Sequence, residues 1–354
     1  MYKSPLEQMS KTTPTHFWND SCSVDSLQFA LEHGAVGATT NPFIVGEVLE
    51  ADLPRYESKI RELIDQNPTA TEDDIAWLIN EYMAVEGAKM LKPVFDETKG
   101  EAGYISIQTN AKYYRNAEKL TEQAVHFSKL APNIMVKLPV TRASVEAVEE
   151  STYRGVTING TVSFSVPQVI AVAEAIQRGM ERREKEGKDN STLHPICTIM
   201  VGRVDDWMKD IANSQNIIVD PQALEMAGVA VFKHAYKIFK ERNYPARLLV
   251  AAYRNHYHWS EFIGGDISMT IPPGWIKRFV GCDITVTDRM DKPVDPAIIN
   301  QLKTHIPDFA RAYDEDGMKA EEFDGYGATR KTLMQFLKGY EKTVGIVRGI
   351  MLDL

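Results

Sequence analysis

Short apolar runs rich in β-branched residues recur along the whole chain, and longer charged stretches with helical periodicity separate them. This alternation is typical of βα units, whose parallel strands are buried on both faces. The sequence predicts strands at 16–20, 35–41, 104–110, 134–140, 155–164, 195–203, 247–253 and 282–287. Eight is the number of strands that closes a parallel barrel, so we predict an α/β fold, the (β/α)8 TIM barrel.

Amphipathic stretches between and after these strands predict the outer helices, at 73–92, 111–130, 166–188, 221–242 and 296–313. The long insertion 51–103 predicts two or more helices that either cover the site or form a subunit contact. The segment from Gly325 predicts a helix that either packs across the barrel mouth or lies on the surface. No Gly/Ser/Pro-rich linker divides the chain, so we expect one barrel domain over 1–354, with an N-terminal arm at 1–15 and C-terminal helices from about 296 to 354.

Composition narrows the class of partner. The formal net charge of -9 argues against chain-wide binding to nucleic acid or to anionic membranes, and no window approaches the roughly 18 apolar residues of a membrane span. Cys22, Cys197 and Cys282 form no CxxC pair and are interpreted as small apolar residues. We therefore expect a cytoplasmic protein whose partner is a small molecule.

Lys137 lies inside the apolar run NIMVKLPV, where a charged side chain is rarely buried. Burial disfavours the ammonium form and makes neutral amine available for attack on a carbonyl. The alternative is a lysine at a strand end whose stem packs while its head reaches water. This strand alone does not decide between the two.

Polar residues at the ends of the other predicted strands favour the first interpretation, because the carboxyl ends of barrel strands converge on one site. They are Asp20, Asn41, Ser106, Gln108, Thr157, Asn159, Thr161, Thr198, Arg203 and Arg254. Each taken singly could be a helix cap. Together they would supply a nucleophile, a proton shuttle, orienting groups and an anion clamp.

Several of these segments resemble motifs of the transaldolase family, in the same order along the chain. GATTNPF resembles the family's TTNP motif, and IMVKLPV resembles its Schiff-base lysine strand. GVTINGTVSFSVPQ, MVGRVDDW and AAYRN resemble three later motifs. The resemblance implies a class I aldolase-type barrel that acts in carbohydrate metabolism, in the pentose phosphate pathway, on a ketose phosphate such as fructose 6-phosphate. It implies no metal and no cofactor, and a homo-oligomer by analogy with other members.

The resemblance also implies a role for each residue. Lys137 would form the Schiff base and Asp20 would exchange protons, while Gln108 and Thr161 would hold the catalytic water. The substrate would be bound by Asn41, Asn159, Thr198, Arg203 and Arg254, with the arginines on its phosphate.

Three positions depart from the family pattern. Gln108 stands where most transaldolases have glutamate, as in the fructose 6-phosphate aldolase branch, and an amide cannot take a proton. Met200 replaces an aromatic residue and Ala252 replaces a serine. Transfer of a dihydroxyacetone unit, its release by a lyase, and action on a modified ketose therefore all stay open.

Two rival functions also stay open. His256 and His258 follow the seventh predicted strand, where a metal-dependent barrel enzyme could hold its ion. A sugar-phosphate-binding protein that has lost turnover is the other rival, although binding alone has no use for a desolvated lysine.

Overall fold

The computed structural model describes residues 2–353, and its centre is a closed barrel of parallel strands. Each strand pairs with the next along the chain, and the last pairs with the first. The strands are β1 His16–Asn19, β2 Gly37–Thr39, β3 Tyr104–Gln108, β4 Ile134–Pro139, β5 Ile158–Thr161, β6 Ile196–Met200, β7 Arg247–Ala251 and β8 Ser268–Ile271. The predicted TIM-barrel architecture is confirmed.

Helices surround the barrel and extend it. They are α1 Pro5–Thr12, α2 Val24–Glu32, α3 Pro42–Ala51, α4 Leu53–Gln66, α5 Glu72–Glu97, α6 Ala117–Phe127, α7 Arg142–Tyr153, α8 Val166–Lys185, α9 Val201–Ser214, α10 Pro221–Glu225, α11 Ala227–Arg242, α12 Tyr257–Ser260, α13 Pro273–Val280, α14 Pro296–His305, α15 Pro307–Tyr313 and α16 Gly327–Met351. Two 3-10 turns lie at Ala111–Tyr113 and Ala320–Gly325. The arm predicted at 1–15 thus contains a helix.

Local chemistry explains where the helices that follow the strands begin. Asn41 and Ser165 accept hydrogen bonds from the backbone of the first turns of α3 and α8, and a proline follows near each helix start. Thr141 caps α7 through a reciprocal capping box. These side chains satisfy amides that have no partner within the helix, and the fixed φ of proline suits the first turn. Each βα turn is therefore short, and the strand ends stay close to one another.

The eighth strand was predicted wrongly. The segment 282–287 has no regular secondary structure, and β8 lies earlier, at Ser268–Ile271. The alternation in CDITVT is real, because Cys282, Ile284 and Val286 are partly buried against the outside of the core while the residues between them are exposed. A strand inside a barrel must instead be buried on both faces, as β8 is throughout.

Several element ends also differ from the prediction. The sixth strand ends at Met200, so Arg203 lies in the first turn of α9, and the seventh ends at Ala251, three residues before Arg254. The helices expected at 111–130, 221–242 and 296–313 are each broken into two pieces. Pro307, at the start of α15, explains the last break, because proline begins a helix well but does not continue one.

The insertion and the C-terminal helix form a second apolar cluster beside the barrel. It is built by α3, by the insertion helices α4 and α5, and by α16, and it includes Leu49, Ile60, Ile79, Val347 and others. Tyr340 of α16 stacks on Trp77 of α5, with ring centroids 5.5 Å apart. Helix α16 is therefore packed against α3 and against the insertion helices α4 and α5.

Cys22, Cys197 and Cys282 are all unpaired, and the first two are buried. Burial raises the pKa of the Cys22 thiol to about 11, which fits a packed and unreactive side chain. Within residues 2–353 no helix is both long and apolar enough to cross a bilayer.

Candidate active site

Gln108, Lys137 and Asn159 stand in one row inside the barrel. Gln108 of β3 is the register partner of Lys137 of β4, and Lys137 is the partner of Asn159 of β5. Side chains of register partners point to the same face of a sheet, so these enter the barrel at one level. All are buried, with Lys137 only 6% exposed. The structure thus brings together the lysine and two of the polar groups predicted to surround it.

The surroundings of Lys137 disfavour its charged form. Burial lowers the pKa of Lys137 to about 8, against the attraction of the Asp20 carboxylate, which raises it. Its Nζ donates a hydrogen bond of 3.3 Å to the carbonyl oxygen of Thr40, in the loop after β2. An amine with a pKa near 8 is neutral in about one molecule in ten at pH 7. Lys137 can therefore act as a nucleophile toward a carbonyl group.

Asp20 follows β1 and faces the same space. Its backbone N–H donates to the Ile271 carbonyl oxygen at 2.9 Å, and its carboxylate accepts a 2.6 Å hydrogen bond from the hydroxyl of Thr39. Burial raises the pKa of Asp20, whereas the charges of Lys137 and Arg203 and the bond from Thr39 lower it. These opposed effects suit a carboxyl group that exchanges protons.

Asn159 is fixed by its neighbours. Its Nδ2 donates to the Ser106 hydroxyl at 3.2 Å, and its Oδ1 accepts from the Thr198 hydroxyl at 2.7 Å. Asn41, in contrast, uses its Oδ1 to cap α3, accepting from the Ile44 amide at 3.0 Å. The helix-cap interpretation of Asn41 is thus correct, and its Nδ2 has no part in the cap.

Several buried polar atoms at this mouth have no hydrogen-bond partner among the described residues. They include both side-chain polar atoms of Gln108 and the hydroxyls of Thr40 and Tyr253. Burial raises the pKa of Tyr253 well above its ordinary value, and the nearby Asp20 charge adds to this, so the phenol keeps its proton. Buried polar groups are normally paired in folded proteins. These atoms are therefore available to a polar ligand.

The loop after β5 holds a strained backbone. Thr161 ends the strand, and Val162 has a φ of 55°, a left-handed conformation that is costly for a β-branched residue. Gln168 supports the loop, because its Oε1 accepts from the Phe164 amide at 3.0 Å and its Nε2 donates to the Val162 carbonyl oxygen at 3.4 Å. The strained loop fixes where the buried Thr161 side chain lies.

Arg203 and Arg254 are brought together by close backbone packing. A Cβ atom at Gly202 would lie 1.9 Å from the carbonyl oxygen of Ala252, so only glycine allows this approach. Ala252 itself has a φ of 65°. The two guanidinium groups influence each other, because burial first and the Arg254 charge second lower the pKa of Arg203 to about 10. Two neighbouring cations at a mouth that also contains Lys137 favour binding of an anion.

The pair His256 and His258, considered as metal ligands, has a different setting. His258 is fully buried, accepts a hydrogen bond from the Arg254 amide at Nδ1, 3.0 Å away, and lies 2.8 Å from Asp205 through Nε2. Asp205 also accepts from the Gly228 amide at 2.8 Å. No cluster of three or more His, Cys, Asp or Glu side chains suited to a metal ion occurs in residues 2–353. His258 instead positions the backbone that carries Arg254.

Comparison with known proteins identifies the family to which this barrel belongs. A family model described as Transaldolase/Fructose-6-phosphate aldolase matches residues 17–326. The chain belongs to this family. The transaldolase of Thermobifida fusca is 28% identical over 249 residues, 67% of this chain and 66% of that protein. The transaldolases of Mycobacterium bovis and Mycobacterium ulcerans are each 29% identical over 242 residues, 63% of this chain and 61% of theirs. The matched region thus spans less than two thirds of these relatives' own length.

The family membership confirms the resemblance read from the motifs, but the structure adds residues that the motifs did not single out. Thr39 donates a hydrogen bond to Asp20, the charge of Asp20 helps to raise the pKa of the buried Tyr253, and Asp206 pairs with Arg254. Period-two spacing could have indicated Thr39 and Tyr253. Thr39 lies two positions before Asn41, and Tyr253 lies two positions after Ala251, the last residue of β7. Gln335 of α16, which contacts Arg203, had no sequence signal.

Proposed function

We propose that this protein is a Schiff-base enzyme of the transaldolase type, which takes a three-carbon dihydroxyacetone unit from a ketose phosphate such as fructose 6-phosphate. The observation that carries the proposal is the buried amine of Lys137, with a pKa near 8, beside Asp20 and in register with Gln108 and Asn159. A binding protein has no need of a neutral lysine in a barrel wall.

In the proposed reaction, neutral Lys137 attacks the C2 carbonyl of the ketose and forms a carbinolamine. Asp20 supplies the proton with which water leaves, giving the iminium. Asp20 then removes the proton of the C4 hydroxyl, the C3–C4 bond breaks, and its electron pair enters the iminium to leave an enamine while the aldehyde departs. The iminium polarises the substrate, so the scheme needs no metal ion.

Arg203 and Arg254 are proposed to hold the phosphate, and Asn159, Thr198 and Asn41 to contact the hydroxyl groups. Asn159 is well suited, because Ser106 and Thr198 fix its amide in one orientation. Preorganised polar groups of this kind cost little reorganisation when charge develops.

The fate of the enamine depends on the water near Gln108 and Thr161. Addition of the enamine to an aldose completes a transfer, whereas its protonation and hydrolysis release dihydroxyacetone. Release is the alternative because Gln108 matches the fructose 6-phosphate aldolase branch, where glutamine replaces glutamate. Its amide can orient water but cannot accept a proton, and neither of its polar atoms has a partner among the described residues. Assays of ketose phosphates and ketose sulfonates, with and without an aldose acceptor, decide between transfer and release.

Borohydride trapping tests the proposal directly. Treatment with fructose 6-phosphate and borohydride should give a stable adduct, and peptide mass spectrometry should place it on Lys137. Lys137→Met should lose both adduct and turnover while remaining folded, since an apolar side chain suits this buried position. Lys129→Met, which removes an exposed lysine, is the matched control and should behave as the parent. Absence of an adduct with every ketose in the panel would contradict the proposal.

A further inference from the structure

Helix α16 comes within hydrogen-bonding distance of the site at its first half. Gln335 accepts a 2.6 Å hydrogen bond from Nη1 of Arg203, and the Thr332 hydroxyl lies 3.5 Å from the same nitrogen. The ring of Phe336 lies below the guanidinium, 5.9 Å from its central carbon. The helix therefore provides a surface against which Arg203 rests.

The arginines proposed to hold the substrate anion differ in how they are paired. Arg254 is in a bidentate ion pair with Asp206, with Nε 3.1 Å and Nη2 2.7 Å from its carboxylate oxygens. Arg203 forms no salt bridge within the described residues; Gln335 is its shortest hydrogen-bond partner, and its Nε is buried without a partner. A carboxylate partner neutralises a guanidinium, whereas an amide orients it and leaves its charge available.

Resting on the proposed function, we infer that Gln335 is a positioning residue for substrate specificity: its neutral amide orients Arg203 toward the anionic end of the substrate without cancelling the charge. The preference for a phosphorylated over an unphosphorylated sugar is then set in part by α16, which lies outside the barrel strands. The second apolar cluster supports this role, because α5 of the insertion holds α16 through the stacking of Trp77 on Tyr340, and α3 holds it through the contact of Phe43 with Gly339.

Contacts that α16 makes before and after Gln335 agree with the inference. Thr329 lies 3.4 Å from Nε2 of Gln168, the residue that supports the strained loop after β5. Gly339 packs so closely on the backbone of Phe43, directly after the TTNP segment, that a Cβ atom would lie 2.5 Å from its Cα. Helix α16 thus contacts the first turns of α8 and α3 at positions on either side of Gln335, and these contacts fix its position along the mouth.

Two substitutions separate charge from position. Gln335→Glu keeps the shape and the acceptor but adds a negative charge, so Arg203 becomes paired as Arg254 is. We expect KM for the ketose phosphate to rise at least tenfold with kcat changed less than twofold, and little change with the unphosphorylated ketose. Gln335→Met removes the acceptor without adding charge and should raise the same KM about threefold to tenfold. Met334→Glu places the same charge on an exposed neighbour, 55% accessible, and should change neither value by more than twofold.

The outcomes distinguish this inference from the proposed function. Equal KM values for parent and Gln335→Glu on the ketose phosphate, or equal losses on phosphorylated and unphosphorylated ketoses, overturn the role of Gln335 while leaving the Lys137 chemistry intact. Should no ketose give a Lys137 adduct, calorimetry with inorganic phosphate still tests the inference. Binding by the parent protein that is weakened at least tenfold in Gln335→Glu supports it, and equal binding, or none by the parent, overturns it.

Discussion

At the carboxyl end of the barrel strands, Lys137 and Asp20 face each other among hydroxyl and amide groups, whereas one layer toward the amino end the indole of Trp18 fills the interior. A Cβ atom at Gly37 would lie 2.6 Å from that indole, so the packing of Trp18 requires glycine at this position of β2. Met135 and Ile196 line the same amino-terminal region. The carboxyl end presents polar groups around Lys137, whereas the amino end holds a small cavity of about 170 Å³ that Trp18, Met135 and Ile196 help to line.

The amino end also ties the arm to the barrel. The guanidinium of Arg247 donates through Nη2 to the carbonyl oxygens of Pro14, at 2.7 Å, and Ile267, at 3.0 Å. These contacts join the arm and the residue before β8 to the start of β7. The division is the one seen in barrel enzymes generally, with chemistry at the carboxyl end and stability at the other. Substitutions at the two ends should therefore affect different measurements.

The largest expected effect is on activity, at the carboxyl end. Asp20→Asn should lower kcat about 10²-fold to 10³-fold, because an amide cannot exchange the protons that the proposed scheme assigns to Asp20. Thermal unfolding should show no loss of stability, since a buried carboxylate is replaced by a neutral group of the same shape. Asp65→Asn, an exposed site on α4, is the control. A full-rate Asp20→Asn enzyme would remove Asp20 from the mechanism.

The next effect is on stability, at the amino end. Gly37→Ala should cost about 1–3 kcal/mol of unfolding free energy, because the added methyl overlaps the ring of Trp18. Denaturant unfolding measures this, and turnover per folded molecule should be unchanged. Gly274→Ala in α13, where a methyl meets nothing within 4 Å, should be neutral or slightly stabilising. If Gly37→Ala were stable but inactive, the two ends would not be independent.

A smaller effect links pH to the amino end. Burial, and then the charge of Arg247, lower the pKa of His16 from 6.5 to about 4. The folded chain therefore holds His16 neutral while the unfolded chain takes up a proton below pH 6.5. The contribution of His16 to stability should be complete above pH 6.5 and decline, by on the order of 2 kcal/mol, as the pH falls to about 4. His16→Gln should flatten this decline in denaturant unfolding, whereas exposed His305→Gln should leave it unchanged.

The smallest effect concerns the pH dependence of catalysis. Since neutral Lys137 is the proposed nucleophile, kcat/KM for the ketose should rise with pH along a limb near 8, gaining about tenfold between pH 7 and 9. Asp20 raises the pKa of Lys137, so residual activity in Asp20→Asn should show this limb at lower pH. A limb that does not move would mean that the two groups do not interact.

Much of the carboxyl end could be predicted from sequence, because each chemical group lies on a strand or just after one. Lys137 interrupts an apolar run and Asp20, Gln108 and Asn159 recur at strand ends, so the convergence imposed by a barrel was enough to group them. Arg203 and Arg254 were found as well, although they lie in a helix turn and a loop.

The eighth strand and the role of α16 could not be predicted for different physical reasons. The four residues of β8 are too few to show a period, while the alternation at 282–287 reflects packing of an extended loop on the outside. Gln335 reaches Arg203 because α16 packs against α3 and the insertion helices, and contacts between elements so distant in the chain leave no local pattern.

The indole of Trp18 over Gly37 has a kinetic consequence. Because Trp18 blocks the barrel interior on the amino side of Lys137, the site opens only at the carboxyl end of the strands. A ketose, the aldehyde released from it and any second sugar must therefore use the same opening in turn. An incoming acceptor has to wait until the first fragment has departed, with the three-carbon piece left behind on the lysine. Under the proposed chemistry, the single opening and the covalent enamine on Lys137 together impose alternating binding of donor and acceptor, and steady-state plots at several acceptor concentrations should run parallel.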